Sequence, residues 1–169
     1  EAAAVHAADA WGRLAGEPGV ALVTAGPGFA NTLTALYVAM AAESPLVLLS
    51  GHTPLSELGR GGFQEMAQAD MARTVTKGSW TAQSSSGIGH DLARAFRLAR
   101  SGRPGPVHIA LPADVLEASL LHQVEPPLDE ASTLSSGPAG ESDIEQIAGA
   151  LRSAKRPVVL PGQAVGRRG

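Results

Sequence analysis

The stretch that decides the fold is Gly19–Ala41, GVALVTAGPGFANTLTALYVAMA. Val20 to Thr24 is a short, nearly continuous apolar run, the pattern of a strand buried on both faces of a parallel sheet. It ends in the rigid corner Gly26-Pro27-Gly28, and Phe29 to Ala42 follows as an Ala-, Leu- and Met-rich helix. Asn31 stands three residues past the corner. A strand tip turned so abruptly, with glycines on both sides of a proline, brings bare backbone close to something.

The same alternation continues outward. Ala4, Ala7, Ala8, Trp11 and Leu14 recur at helical spacing, which predicts an amphipathic helix over residues 2–15, stopped by Gly16 and Pro18. Pro45 to Ser50 reads as a second buried strand, followed by a Gly- and polar-rich loop over residues 51–62. A short helix is expected over residues 64–73, and residues 74–82 have strand character. Ile88, Leu92, Ala95, Phe96 and Ala99 mark another amphipathic helix. The turn signal SGRPGP introduces a third buried strand, Pro106 to Pro112. Strands alternating with helices predict an α/β fold: a parallel sheet flanked by helices.

From residue 123 to residue 140 the composition turns rich in Pro, Ser and Gly, as in an interdomain linker. Ser142 then opens a helix, with Glu145 placed for a capping box and Ile144, Ile147 and Leu151 on an apolar face. Residues 156–162, RPVVLPG, read as a strand. The expected organisation is therefore one domain over 1–122, a linker over 123–140, and the start of a second α/β domain over 141–169. The chain opens without Met, so both domains are expected to be cut.

Composition narrows the function. The 169 residues are 44% hydrophobic and 17% charged, enough apolar material for a core. The net charge is −3 with Lys and Arg scattered, which argues against a nucleic-acid partner. There is no Cys, so disulfides, zinc–thiolate sites and thiol catalysis are excluded, and a reducing cytoplasm fits. No apolar run reaches the length of a membrane-spanning helix, and no signal pattern opens the chain. No Gly-x-Ser-x-Gly elbow supports serine hydrolysis. His6, His52, His90, His108 and His122 show no metal-site spacing, although His52 follows a strand end and is a candidate lining residue.

The corner itself admits three readings. A dinucleotide site needs G-x-G-x-x-G and an acidic residue ending the next strand. Gly26 and Gly28 supply two glycines, but Asn31 occupies the third position and the acidic residue is missing. A plain strand-to-helix turn with Asn31 as an inward polar residue is the second reading. The third comes from the segments around it. Residues 1–31, EAAAVHAADAWGRLAGEPGVALVTAGPGFAN, carry a Glu-led helix, Gly-Val, a strand and Gly-Pro-Gly-x-x-Asn. ESPLVLLSG at 43–51, GGFQEMAQADMARTVTKGSW at 61–80, SGRPGPVHIALPADVL at 101–116 and KRPVVLPGQAV at 155–165 follow in order. Together these resemble the N-terminal pyrimidine-binding domain of thiamine diphosphate-dependent enzymes, the acetolactate synthase group in particular.

The resemblance implies decarboxylation of a 2-keto acid and carboligation to a second carbonyl. In that family a Glu hydrogen-bonds N1′ of the cofactor's aminopyrimidine ring, and Glu1 holds the matching position; without the resemblance, Glu1 reads as an acidic residue at a helix N-terminus. Gly26, Pro27 and Gly28 would hold the flat ring, with Asn31 fixing the corner. Phe63 and Gln64 match a substrate-side segment that reaches the reacting carbon from a partner subunit. Lys77 matches a lysine at the mouth of the channel. Mg²⁺ would be bound by a C-terminal domain through a Gly-Asp-Gly segment this chain lacks. The resemblance further implies a homo-oligomer, dimer or tetramer, with the site at the interface, so the isolated chain is expected to be inactive. FAD stays open, because the central domain is cut. A 2-hydroxyacyl-CoA lyase or oxalyl-CoA decarboxylase-like enzyme is the rival within the family; a non-catalytic nucleotide-binding module is the rival outside it.

Overall fold

The computed structural model describes residues 1–119 and 139–162. Four parallel strands, β1 (Gly19–Val23), β2 (Leu46–His52), β3 (Gly78–Thr81) and β4 (Pro106–Pro112), form one sheet in the order β1-β2-β4-β3. Helices α1 (Ala2–Ala15), α2 (Pro27–Ala30), α3 (Leu33–Ala41), α4 (Gln68–Ala72), α5 (Ile88–Arg100) and α6 (Ala113–Glu117) connect them. The parallel α/β fold expected from the alternation is the fold observed. Register pairs Val20 with Val47, Val47 with Val107, and Gly78 with Val107. All four strands therefore end at one edge of the sheet, where the crevice of an open α/β fold forms.

Two apolar clusters cover the sheet. Val5, Phe29, Leu36, Leu46 and Leu48 pack together on one side. Val47, Ala95, Ala99, Val107 and Ile109 pack on the other, with Ile88, Leu92 and Phe96 of α5 against them. α1 approaches the sheet so closely that a Cβ on Gly12 would lie 2.3 Å from the Pro45 carbonyl oxygen.

Several local expectations change. The buried face of α1 is Val5, Ala8, Asp9 and Gly12, while Trp11 and Leu14 stay exposed. A one-sided apolar stripe was expected there; close backbone contact at Gly12 turns the helix instead. β1, at one edge of the sheet, is covered on one face only: Val20 and Leu22 are exposed. The helix expected over 29–42 is broken at Asn31–Thr32, where the Thr32 hydroxyl donates to the Phe29 carbonyl at 2.6 Å. Such a bond offers the backbone an alternative to the regular ladder. The short helix expected from residue 64 begins only at Gln68, since Gln64 sits in the left-handed region (φ 58°).

In the second unit, α7 (Glu141–Ser153) begins one residue before Ser142, with Gly140 as its N-cap and no side-chain cap. The capping box does not form. Ile144, Ile147 and Leu151 are exposed, and residues 156–162 form no strand, having no partner strand among the described residues. The expected linker, 123–140, lies outside the described residues except for its last two, as does His122.

Candidate functional site

The site grows from the tip of β1. Gly26 adopts φ 57°, ψ −117°, a conformation open to glycine and strained for any other residue. A Cβ there would lie 2.7 Å from the Gln64 carbonyl oxygen and 2.8 Å from the Gln64 Cβ. At Gly28 a Cβ would meet the Thr24 Cγ2 at 2.3 Å and Glu1 Oε1 at 3.2 Å. Pro27 stands at the first position of α2, where its missing N–H costs nothing. The Asn31 side-chain amide donates to Glu1 Oε2 over a long 3.5 Å. Glu1, distant in sequence, thus meets the Gly26-Pro27-Gly28 corner at Gly28 and Asn31 just beyond it. Glu1 is exposed there, with one carboxylate oxygen beside the corner and the other toward Asn31.

The segment after β2 forms the second wall. Thr53 Oγ1 donates to the Phe63 carbonyl at 2.9 Å, closing the loop on itself. The Glu65 carboxylate accepts from the backbone N–H groups of Gly59 (2.6 Å), Gly61 (2.9 Å) and Gly62 (3.0 Å). These bonds, from Gly59 first and then Gly62 and Gly61, hold its carboxyl below the ordinary value. The loop presents Phe63 almost bare, 86% exposed, while the backbone of Gln64 packs on Gly26. His52 lies at the end of β2, its ring nitrogens 2.9 Å from the Thr53 carbonyl and 3.2 Å from the Met66 carbonyl. With Leu58, Glu65, Gln68 and Thr81 it lines an open cleft of about 270 Å³.

Lys77 is not brought to this place. It precedes β3, and its backbone N–H donates to the Pro106 carbonyl at the edge where the strands begin. Its ammonium donates to the Leu98 carbonyl and, at 2.6 Å, to the Ser101 carbonyl, both at the C-terminal end of α5. Burial pushes its pKa down. A lysine spent on helix-end carbonyls at the far edge is a structural cation, which corrects the expectation of one at the channel mouth.

Sequence reasoning missed the group behind the corner. Gln68 is fully buried. Its Oε1 accepts from the Gly26 N–H at 2.8 Å, and its Nε2 donates to Ser50 Oγ at 2.7 Å and to the Gly51 carbonyl at 2.9 Å. Ser50 Oγ is 2.8 Å from His108 Nε2, and His108 Nδ1 is 2.8 Å from Ser79 Oγ. His108 is fully buried against Phe29, ring centroids 4.7 Å apart. Burial first, and the charge of His52 second, push its pKa down to about 3. No sequence signal marks this set, because its members lie on four different elements.

A carboxylate beside a corner that tolerates no side chain, with an amide donor on its second oxygen, fits a flat heterocycle with a basic ring nitrogen. Among the described residues, no three His, Cys, Asp or Glu side chains gather as a metal site, and no helix is long and apolar enough to cross a membrane.

Residues 1–71 match the family described as thiamine pyrophosphate enzyme, N-terminal TPP binding domain. The chain is 42% identical over 166 residues to the acetolactate synthase isozyme 3 large subunit of Escherichia coli (strain K12), covering 96% of this chain and 29% of that protein. It is 36% identical over 168 residues to the probable acetolactate synthase large subunit of Methanococcus aeolicus, covering 98% of this chain and 28% of that protein. Over 116 residues, 69% of this chain and 18% of the other, it is 49% identical to 2-hydroxyacyl-CoA lyase 2 of Xenopus laevis. The chain thus spans less than a third of the length of these curated relatives.

Proposed function

The chain belongs to the thiamine pyrophosphate enzymes, in whose N-terminal cofactor-binding domain its first 71 residues fall, and on that premise we propose that the protein containing it decarboxylates a 2-keto acid and joins the product to a second carbonyl, in the manner of an acetolactate synthase. The observation that carries this reading is the Glu1 carboxylate set against Gly28 and Asn31 at the tip of β1. Bound at this corner, thiamine diphosphate supplies a carbon nucleophile for the 2-keto carbonyl and accepts the electrons released with CO₂. Glu1 holds the proton shared with the ring nitrogen N1′. Asn31 keeps the carboxylate turned toward that atom. Gly26 and Gly28 let the backbone reach the ring, and Pro27 adds a stiff apolar contact. Phe63 forms a wall on the substrate side and Gln64 a polar contact there, both reaching a partner subunit's half of the site. Lys77 has no part in it.

Residues 1–122 form the pyrimidine-binding domain in this reading, 123–140 the linker, and 141–169 the opening of a central α/β domain. Mg²⁺ and the diphosphate belong to a C-terminal domain. The protein is a cytoplasmic homo-oligomer, dimer or tetramer, whose site forms between subunits. The identity to a 2-hydroxyacyl-CoA lyase supports a second reading, a lyase or decarboxylase that breaks a carbon–carbon bond of an acyl-CoA substrate with the same half-site.

The test is CO₂ release from pyruvate by the full-length protein with Mg²⁺ and thiamine diphosphate, beside Glu1→Gln. The expected result is cofactor-dependent release that falls at least about 100-fold in the variant. Cofactor-bound protein that releases none gives up pyruvate, and 2-hydroxyacyl-CoA becomes the substrate to try. Full activity in Glu1→Gln overturns the role of Glu1.

A further inference from the structure

Three hydrogen bonds use both N–H groups of the buried Gln68 amide and one lone pair of its oxygen. The Gly26 N–H is a donor, so the oxygen of the Gln68 amide must face it. The Gly51 carbonyl is an acceptor, so the nitrogen must face that side. The amide therefore has one orientation only. Its second N–H meets Ser50 Oγ, whose own hydrogen is then free to donate to His108 Nε2. A neutral ring with its hydrogen on Nδ1 completes the row by donating to Ser79 Oγ. The row runs in one direction from α4 across β2 and β4 to β3.

The consequence lies at the corner. The unusual backbone of Gly26 leaves its N–H to Gln68 Oε1, where it is buried. The same residue packs against the backbone of Gln64, itself in the left-handed region. Gln68 thus holds one residue that touches both walls of the site: the Gly26–Gly28 corner and the Phe63–Gln64 segment. We infer that Gln68 is a positioning residue, whose side chain fixes the Gly26 peptide and so aligns the cofactor corner with the substrate-side segment. This rests on the reading above, in which the corner receives the aminopyrimidine ring.

The variant Gln68→Met keeps the length of the side chain and removes the amide. In the full-length protein, two measurements are made on the folded variant: thiamine diphosphate binding by calorimetry with Mg²⁺, and amide hydrogen exchange without cofactor. Of the three bonds the variant loses, the one to the Gly26 N–H bears on the corner, and its loss leads us to expect binding about tenfold weaker. Exchange is expected to rise over residues 24–31 and 62–66 and to stay unchanged over strand 106–112. Binding within twofold of wild type, or unchanged exchange at the corner, overturns the inference. So does exchange raised equally across the whole sheet, which marks a merely structural role. If Gln68→Met does not fold, Ser50→Ala removes only the hydroxyl behind the amide. It is then expected to raise exchange in the same two segments by a smaller factor, and no rise overturns the inference. A wild-type protein that binds no thiamine diphosphate brings down the proposed function and this inference together. A wild type that binds beside an indifferent variant brings down the inference alone.

Discussion

His108 shows how one side chain reports on its surroundings. It is enclosed by Phe29, Ser50 and Ser79, and burial first, with His52 second, pushes its pKa down to about 3. Above pH 6.5 the ring is neutral in both folded and unfolded chains, so it leaves stability independent of pH. Below that, the unfolded chain takes up a proton that the folded chain refuses until about pH 3. Stability therefore falls on acidification through this window, by about 1.4 kcal/mol per pH unit from this group. Glu65 and Asp114, whose carboxyls backbone donors hold below their ordinary values, add their own loss at lower pH. The expected outcome is that His108→Asn flattens the pH dependence of the urea midpoint between pH 6.5 and 4.5, whatever its offset at pH 7. An unchanged slope contradicts a neutral buried ring. Residues of this kind were not legible in the sequence. Gly26, Gly28 and Asn31 announce themselves by spacing, but His108 and Gln68 matter through partners on other elements, and no local pattern encodes those.

In the loop after β2, carboxylates add to the packing of Leu55 against the core. Asp114, at the start of α6, accepts from the backbone N–H groups of Leu55 at 2.9 Å and Ser56 at 3.2 Å, tying the exit of β4 to the loop after β2. Glu65 gathers the three glycine amides that follow. Removing that carboxylate in Glu65→Ala frees the turn around the exposed Arg60. Trypsin is expected to cut after Arg60 on the order of ten times faster than in wild type; an unchanged rate means the glycines hold their course without it. At this scale sequence reading located the four strands and the longer helices, missed the short α6, and erred at the ends and faces of the elements it found. α1 was assigned the stripe through Trp11 and Leu14, because apolar spacing cannot show that Gly12 is the contact that matters. The break at Thr32 came from one hydroxyl, and the missing capping box from a helix that starts a residue early on Gly140.

Across the whole molecule, burial is uneven. β2 and β4 are enclosed on both faces, whereas β1 leaves Val20 and Leu22 bare at the sheet edge, near Trp11. α7 shows Ile144, Ile147 and Leu151 to solvent. An apolar unpaired strand edge is a template for association. The 169-residue polypeptide alone is expected to self-associate in sedimentation velocity and to turn over no 2-keto acid, and Val20→Lys is expected to reduce the association. A monodisperse monomer at high concentration contradicts this. The alternation of strands and helices made the parallel sheet legible. That β1 has one bare face was not, because a buried strand and a strand with one bare face carry the same apolar letters.

The contact between Gly26 and Gln64 is made by main chain, while the ring of Phe63 beside it touches almost nothing. The two neighbours therefore answer to different pressures. Position 63 can be exchanged freely as far as the fold is concerned, so a lineage can explore new substrates there one mutation at a time. Positions 26 and 28 offer no such latitude. The geometry separates what can drift from what must stay, and it does so within a few ångströms.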